Sequence, residues 1–131
     1  MLKKREILKV KSEPVDPFTM PSPTSAQDFY RRGMVYYARQ HYTEAEQDLR
    51  QAIVLDPQDL EGHYRLGMVL KAVNKKDEAI KEFKLVVEFL DHQSSNLSPS
   101  KYRMIRRLAL GHVNELEAGD WNLEKEIWHH I

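Results

Sequence analysis

The stretch Tyr30-Arg31-Arg32-Gly33-Met34-Val35 returns 34 positions later as Tyr64-Arg65-Leu66-Gly67-Met68-Val69. The same step carries Ala45 onto Ala79, Leu49 onto Phe83, Ala52 onto Val86 and Ile53 onto Val87, so the register holds through a whole unit. Self-similarity at a fixed step marks an array of small units, each of which buries its apolar face only against its neighbours. A chain built this way folds as a stack.

Within a unit the apolar residues recur at helical spacing twice. Phe29, Gly33 and Tyr36 form one stripe; after a break around Gln40, Ala45, Leu49, Ala52 and Ile53 form another. The pattern predicts a pair of helices. Ser25 with Asp28, and Thr43 with Glu46, read as capping boxes that open the two helices. Asp56-Pro57 closes the pair, since proline disfavours helical geometry in the residue before it. The second unit repeats the scheme with Leu66, Gly67 and Leu70, a break at Asn74 to Asp77, and then Ala79, Ile80, Phe83, Val86 and Val87. Gly33 and Gly67 sit inside helices at a cost of roughly 0.5–1 kcal/mol relative to alanine. Their recurrence predicts that another helix passes close by, with small Ala45 and Ala79 on the other side of that contact.

After Asp91 a polar insertion breaks the register, and Ser98-Pro99 starts a further helix that runs to about Glu117. Either Gly111 takes the glycine role or Gly119-Asp120-Trp121 marks the next turn, one residue out of step, and the third register stays open. The segment from Trp121 to Ile131 reads as a shortened second helix. The organisation expected is an extended arm over residues 1–24 and a helical repeat domain over 25–131. Its units span about 26–59, 60–93 and a degenerate 98–131.

These residues resemble the tetratricopeptide repeat. Phe29, Gly33, Tyr36, Ala45, Leu49, Ala52 and Pro57 fit its pattern in the first unit, and Arg32 departs from it where an apolar residue is usual. His63, Leu66, Gly67, Leu70, Ala79, Phe83, Val86 and Asp91 follow in the second, without the aromatic start or the closing proline. The resemblance implies an all-α fold, a right-handed superhelix of antiparallel helix pairs. It further implies a groove, lined by the first helix of each pair, that grips a partner polypeptide. Co-chaperones of this family hold a terminal carboxylate with lysine and asparagine, but Tyr30 and Met34 stand at the corresponding places here.

One residue over from the core stripe, about 100° around the helix, lie Tyr30, Met34 and Tyr37 in the first unit and Tyr64, Met68 and Lys71 in the second, flanked by Arg31 and Arg65. Tyrosine gives contact area with a polar tip, methionine adapts its shape, and arginine forks onto carboxylates. Two readings stand: a groove for a peptide carrying acidic and apolar residues, or side chains that pack between neighbouring first helices. Secondary contacts are expected from Ile7, Leu8 and Val10 in the basic arm, from Arg106 and Arg107 in the cluster Lys101, Arg103, Arg106, Arg107, and from Trp128 near the C-terminal end.

Twenty Lys and Arg balance twenty Asp and Glu, leaving no overall field to draw the chain to nucleic acid or an anionic membrane. The absence of cysteine excludes disulfides, thiolate catalysis and Cys-based metal sites. The basic start lacks the apolar core of a secretory signal, and no apolar run spans a bilayer, so the expected location is cytoplasmic. Six scattered histidines give no metal spacing, and neither a phosphate-binding glycine loop nor a nucleophile elbow is present. Carboxylate pairs such as Glu44 with Asp48 read as surface charge. The function expected is a non-catalytic adaptor or scaffold without cofactor or metal. The alternative is a constitutive subunit of a larger complex, anchored by the arm and the apolar C-terminal helix.

Overall fold

The computed structural model describes residues 16–92 and 98–119. A 3-10 turn at Pro17–Thr19 leads into α1 (Ala26–Ala38), α2 (Tyr42–Leu55), α3 (Leu60–Ala72), α4 (Lys76–His92) and α5 (Pro99–Ala118), and no strand occurs among the described residues. Helices α1 and α2 form one pair and α3 and α4 the next, while α2 packs on α3 and α4 on α5. Short connections within each pair make its helices antiparallel neighbours.

Start signals act unevenly. Ser25 Oγ accepts the Asp28 amide at 3.1 Å, and Ser98 Oγ accepts the Lys101 amide at 3.2 Å. The box expected at Thr43 and Glu46 does not form: α2 begins at Tyr42, and its cap residue His41 makes no side-chain capping bond. Glu46 is drawn elsewhere, taking Arg50 at 2.9 Å and Lys75 at 3.1 Å.

The 34-residue step is written in the backbone too. Gln40 and Asn74, in matching turns, both adopt left-handed geometry, at φ 65° and 64°. In each turn the next amide closes on the preceding helix, His41 N–H on Tyr36 O and Lys75 N–H on Leu70 O, both at 2.9 Å. Gly119, at φ 79°, caps α5 in the same conformation, eight residues after Gly111 where the earlier turns come seven after their glycines.

One apolar core runs through the stack, from Tyr36 and Leu49 through Leu66, Leu70, Phe83 and Val86 to Ile105, Ala109 and Val113. Gly67 shows why the recurring glycine is needed: a Cβ there would lie 2.9 Å from the ring of fully buried Phe83. The same construction at Gly33 meets the Leu49 side chain at 3.1 Å.

Asp48 is not surface charge as the sequence suggested, being only 4% exposed. It takes Arg32 in a two-pronged bond, Nε to Oδ2 and Nη2 to Oδ1, each 2.8 Å. That pairing accounts for arginine at a place where the second unit has fully buried Leu66.

Candidate functional site

The side chains expected to line a groove are drawn together in part, and chiefly as ties between successive first helices. Tyr30 of α1 donates its phenol to Glu61 of α3 at 3.2 Å. Tyr64 of α3 meets His112 Nε2 of α5 at 3.2 Å, and Lys71 of α3 reaches His112 Nδ1 at 3.3 Å and Glu115 at 2.9 Å. Because the lysine ammonium only donates, Nδ1 accepts from it and the ring proton resides on Nε2, which donates to the Tyr64 oxygen. His112 also stacks on Phe83 at 4.6 Å. Burial, assisted by the neighbouring Lys71 charge and opposed by Glu115, pulls its pKa down to about 4, so the ring is neutral at physiological pH. Burial likewise raises the Tyr30 and Tyr64 phenols, which stay protonated.

Two open depressions flank this ladder of ties. One, of about 260 Å³, lies between α3 and α5, with Tyr64, Met104 and Leu108 as its apolar wall and Arg65, Glu61 and Lys101 at its rim. Met104 is 54% exposed and Leu108 38%, a high figure for large apolar groups. Lys101 stands 3.7 Å from Glu61, and Arg65 lies over the Tyr64 ring at 5.7 Å. The second depression, about 530 Å³, runs along α1 past Tyr30, Arg31, Met34, Val35, Ala38 and Arg39.

Of the eight groove residues, Tyr30, Arg31 and Met34 thus share one depression, and Tyr64 and Arg65 share the other. Tyr37 instead packs on Tyr42, with ring centres 5.7 Å apart, and Met68 is half-buried against the core. Lys71 is held by α5. Arg106 is engaged by Asp91 at 2.9 and 3.3 Å, whereas Arg107 is exposed. Ile7, Leu8, Val10 and Trp128 lie outside the described residues. The sequence reading missed Met104, Leu108 and Leu60. The first two stand four apart on α5 and so share a helical face, a signal that the polar surroundings concealed.

Among the described residues no group of three or more histidine or acidic side chains could hold a metal, and no described helix is long and apolar enough to cross a membrane.

Comparison with known proteins gives consistent results. A family described as "TPR repeat" matches residues 33–74, and one described as "Tetratricopeptide repeat" matches residues 60–89. No curated protein matches the chain. Among solved structures, one titled "Crystal structure of MamA" superposes with a TM-score of 0.53 at 22% identity, covering 82% of this chain and 61% of that one. The chain therefore spans about three fifths of the length of that protein, and the likeness is one of fold.

Proposed function

The chain is a tetratricopeptide-repeat protein, and from that premise we propose that it is a non-catalytic adaptor whose first-helix face holds a partner polypeptide with apolar and acidic residues. The observation that carries this reading is the depression between α3 and α5. It offers exposed Met104 and Leu108 beside the Tyr64 ring, and two cations, Arg65 and Lys101, at its edge. An apolar side chain of the partner would displace water from the Met104–Leu108 wall, while a nearby carboxylate would bond the Arg65 guanidinium. The depression along α1, with Arg31 and Arg39 beside Met34 and Val35, repeats the same chemistry one unit earlier. A partner crossing both would be read twice.

The test begins with partners captured on the tagged full chain and identified by mass spectrometry, followed by titration of the purified partner. Leu108→Glu should weaken binding at least about tenfold, the equivalent of roughly 1.4 kcal/mol, with helicity unchanged. Arg65→Glu should do the same. Unchanged affinity in both variants, with circular dichroism intact, sinks the reading.

A second reading, a permanent subunit of a larger assembly, is favoured by one observation. Phe18, Val54 and Leu55 are 66%, 68% and 50% exposed and line neither depression, which leaves apolar surface available to a second contact.

A further inference from the structure

His63 stands in the first turn of α3, where the chain leaves the connection between the two units, and both of its ring nitrogens face acceptors. Nδ1 is 2.6 Å from Glu82 Oε2 on α4, and Nε2 is 2.8 Å from the carbonyl oxygen of Pro57 in the inter-unit connection. Neither partner can donate when Glu82 is ionised. A neutral imidazole has a single N–H, so it satisfies one of them and turns a lone pair on the other; the imidazolium donates to both. The ring is 7% exposed, and its edge meets the Phe89 ring at 5.3 Å, so water does not readily replace a lost bond.

We propose that His63 is a proton-operated clasp between the repeat units: protonated, it ties the inter-unit connection to α4, and deprotonated, it releases that connection. The idea goes beyond partner binding and does not depend on it. The charged groups acting on the ring are both acidic, Glu82 from α4 and Asp59 from the connection, and what α2 presents beside neighbouring Gly62 is the apolar side chain of Ile53. The Glu82 bond foremost, then the Pro57 carbonyl and the two carboxylate charges, outweigh burial and hold the ring above its usual pKa of 6.5. The sign follows from linkage. The contribution of the clasp is complete below about 6.5, where folded and unfolded rings are both protonated, and is lost as pH rises through the higher folded value.

The site has a built-in counterpart. Glu82 occupies the place that Asp48 holds 34 residues earlier, and there the partner is Arg32, which does not titrate near neutrality. The first unit thus carries a permanent bond between its helices where the second carries one that pH can break.

Two measurements on the full chain decide the matter. Heteronuclear NMR of the imidazole should show His63 titrating above 6.5 in the wild type. Hydrogen exchange, corrected for intrinsic base catalysis, should show the amides of Asp56 and Asp59, bonded to Ala52 O and Asp56 O, losing about tenfold protection per pH unit between 6.5 and that midpoint. In Glu82→Gln the midpoint should fall and the pH dependence of the connection should flatten. A wild-type ring that titrates at or below the ordinary value overturns the proposal even if the variant fails to fold. So does a connection equally protected at about pH 6 and about pH 8.5.

Discussion

The guanidinium of Arg32 and the carboxylate of Asp48 meet through two bonds of 2.8 Å, with the acid almost wholly inside the first helix pair. Truncating only the arginine leaves that carboxylate buried without its cation. Arg32→Ala should cost about 2–3 kcal/mol, measured by urea denaturation. Arg32→Leu with Asp48→Ala, which removes both charges and gives α1 the residue found at Leu66, should cost clearly less than the sum of the single changes. Strict additivity would show that the pair is not coupled.

Gly67 and Phe83 set a second expectation. Alanine in place of a mid-helix glycine ordinarily gains about 1 kcal/mol. At Gly67 the new methyl would sit 2.9 Å from two carbons and 3.1 Å from a third carbon of the Phe83 ring, which is held between Tyr64 and stacked His112. Gly67→Ala should therefore destabilise the chain by about 1–3 kcal/mol despite the propensity gain. Gly33→Ala meets Leu49 at 3.1 Å and should be milder. Thermal melts of the two variants check the order.

The helix pairs were legible because each is a local pattern. The recurrence of Gly33 at Gly67 foretold a helix passing close by, but the nearest side chains there are Leu49 and Phe83 and not the expected Ala45 and Ala79; proline at 57 and 99 marked real boundaries. What escaped was set by tertiary partners that spacing along one helix does not encode. Thr43 and Glu46 had the residues of a cap, but Glu46 is claimed by Arg50 and by Lys75 from the next unit. Asp48 looked like solvent-facing charge because its cation lies a helix away. Tyr64 and Lys71 were read as part of one stripe, and it is His112, separated from them by over forty residues, that fixes what they touch.

His112 predicts an acid limb to the stability profile. Its folded pKa of about 4 lies below the usual 6.5, so the unfolded chain binds a proton more readily over that interval. Stability from this residue is present above about 6.5 and drains away as pH falls toward 4. His63, shifted the other way, erodes stability as pH rises, so the two together should place the maximum near neutrality. Lys71→Met removes a cation that disfavours the protonated ring and should raise the His112 midpoint in an NMR titration. A midpoint that stays put or falls would show that Lys71 does not act on this ring.

The basic cluster on α5 divides into unlike members, and charge reversal should reveal it. Arg106 is fastened to Asp91 at the end of α4, and Tyr102 donates to the same carboxylate at 3.1 Å, so the three side chains bind α5 to the second unit. The Arg106 hydrogen bond foremost, then that of Tyr102 and the Arg106 charge, outweigh burial and depress the Asp91 pKa, which keeps the acid ionised. Because the pair is partly open to water, with side chains 31% and 37% exposed, its own contribution is modest, about 0.5–1 kcal/mol. Arg106→Glu adds repulsion to that loss and should lower stability by about 1–2 kcal/mol. Arg107, exposed and without a salt bridge among the described residues, should tolerate the same change within about 0.5 kcal/mol. If a partner's acidic residues extend along α5, Arg107→Glu should weaken its binding while leaving the melt untouched. Equal effects of both reversals on the melt would contradict the separation of the cluster into a structural arginine and an exposed one.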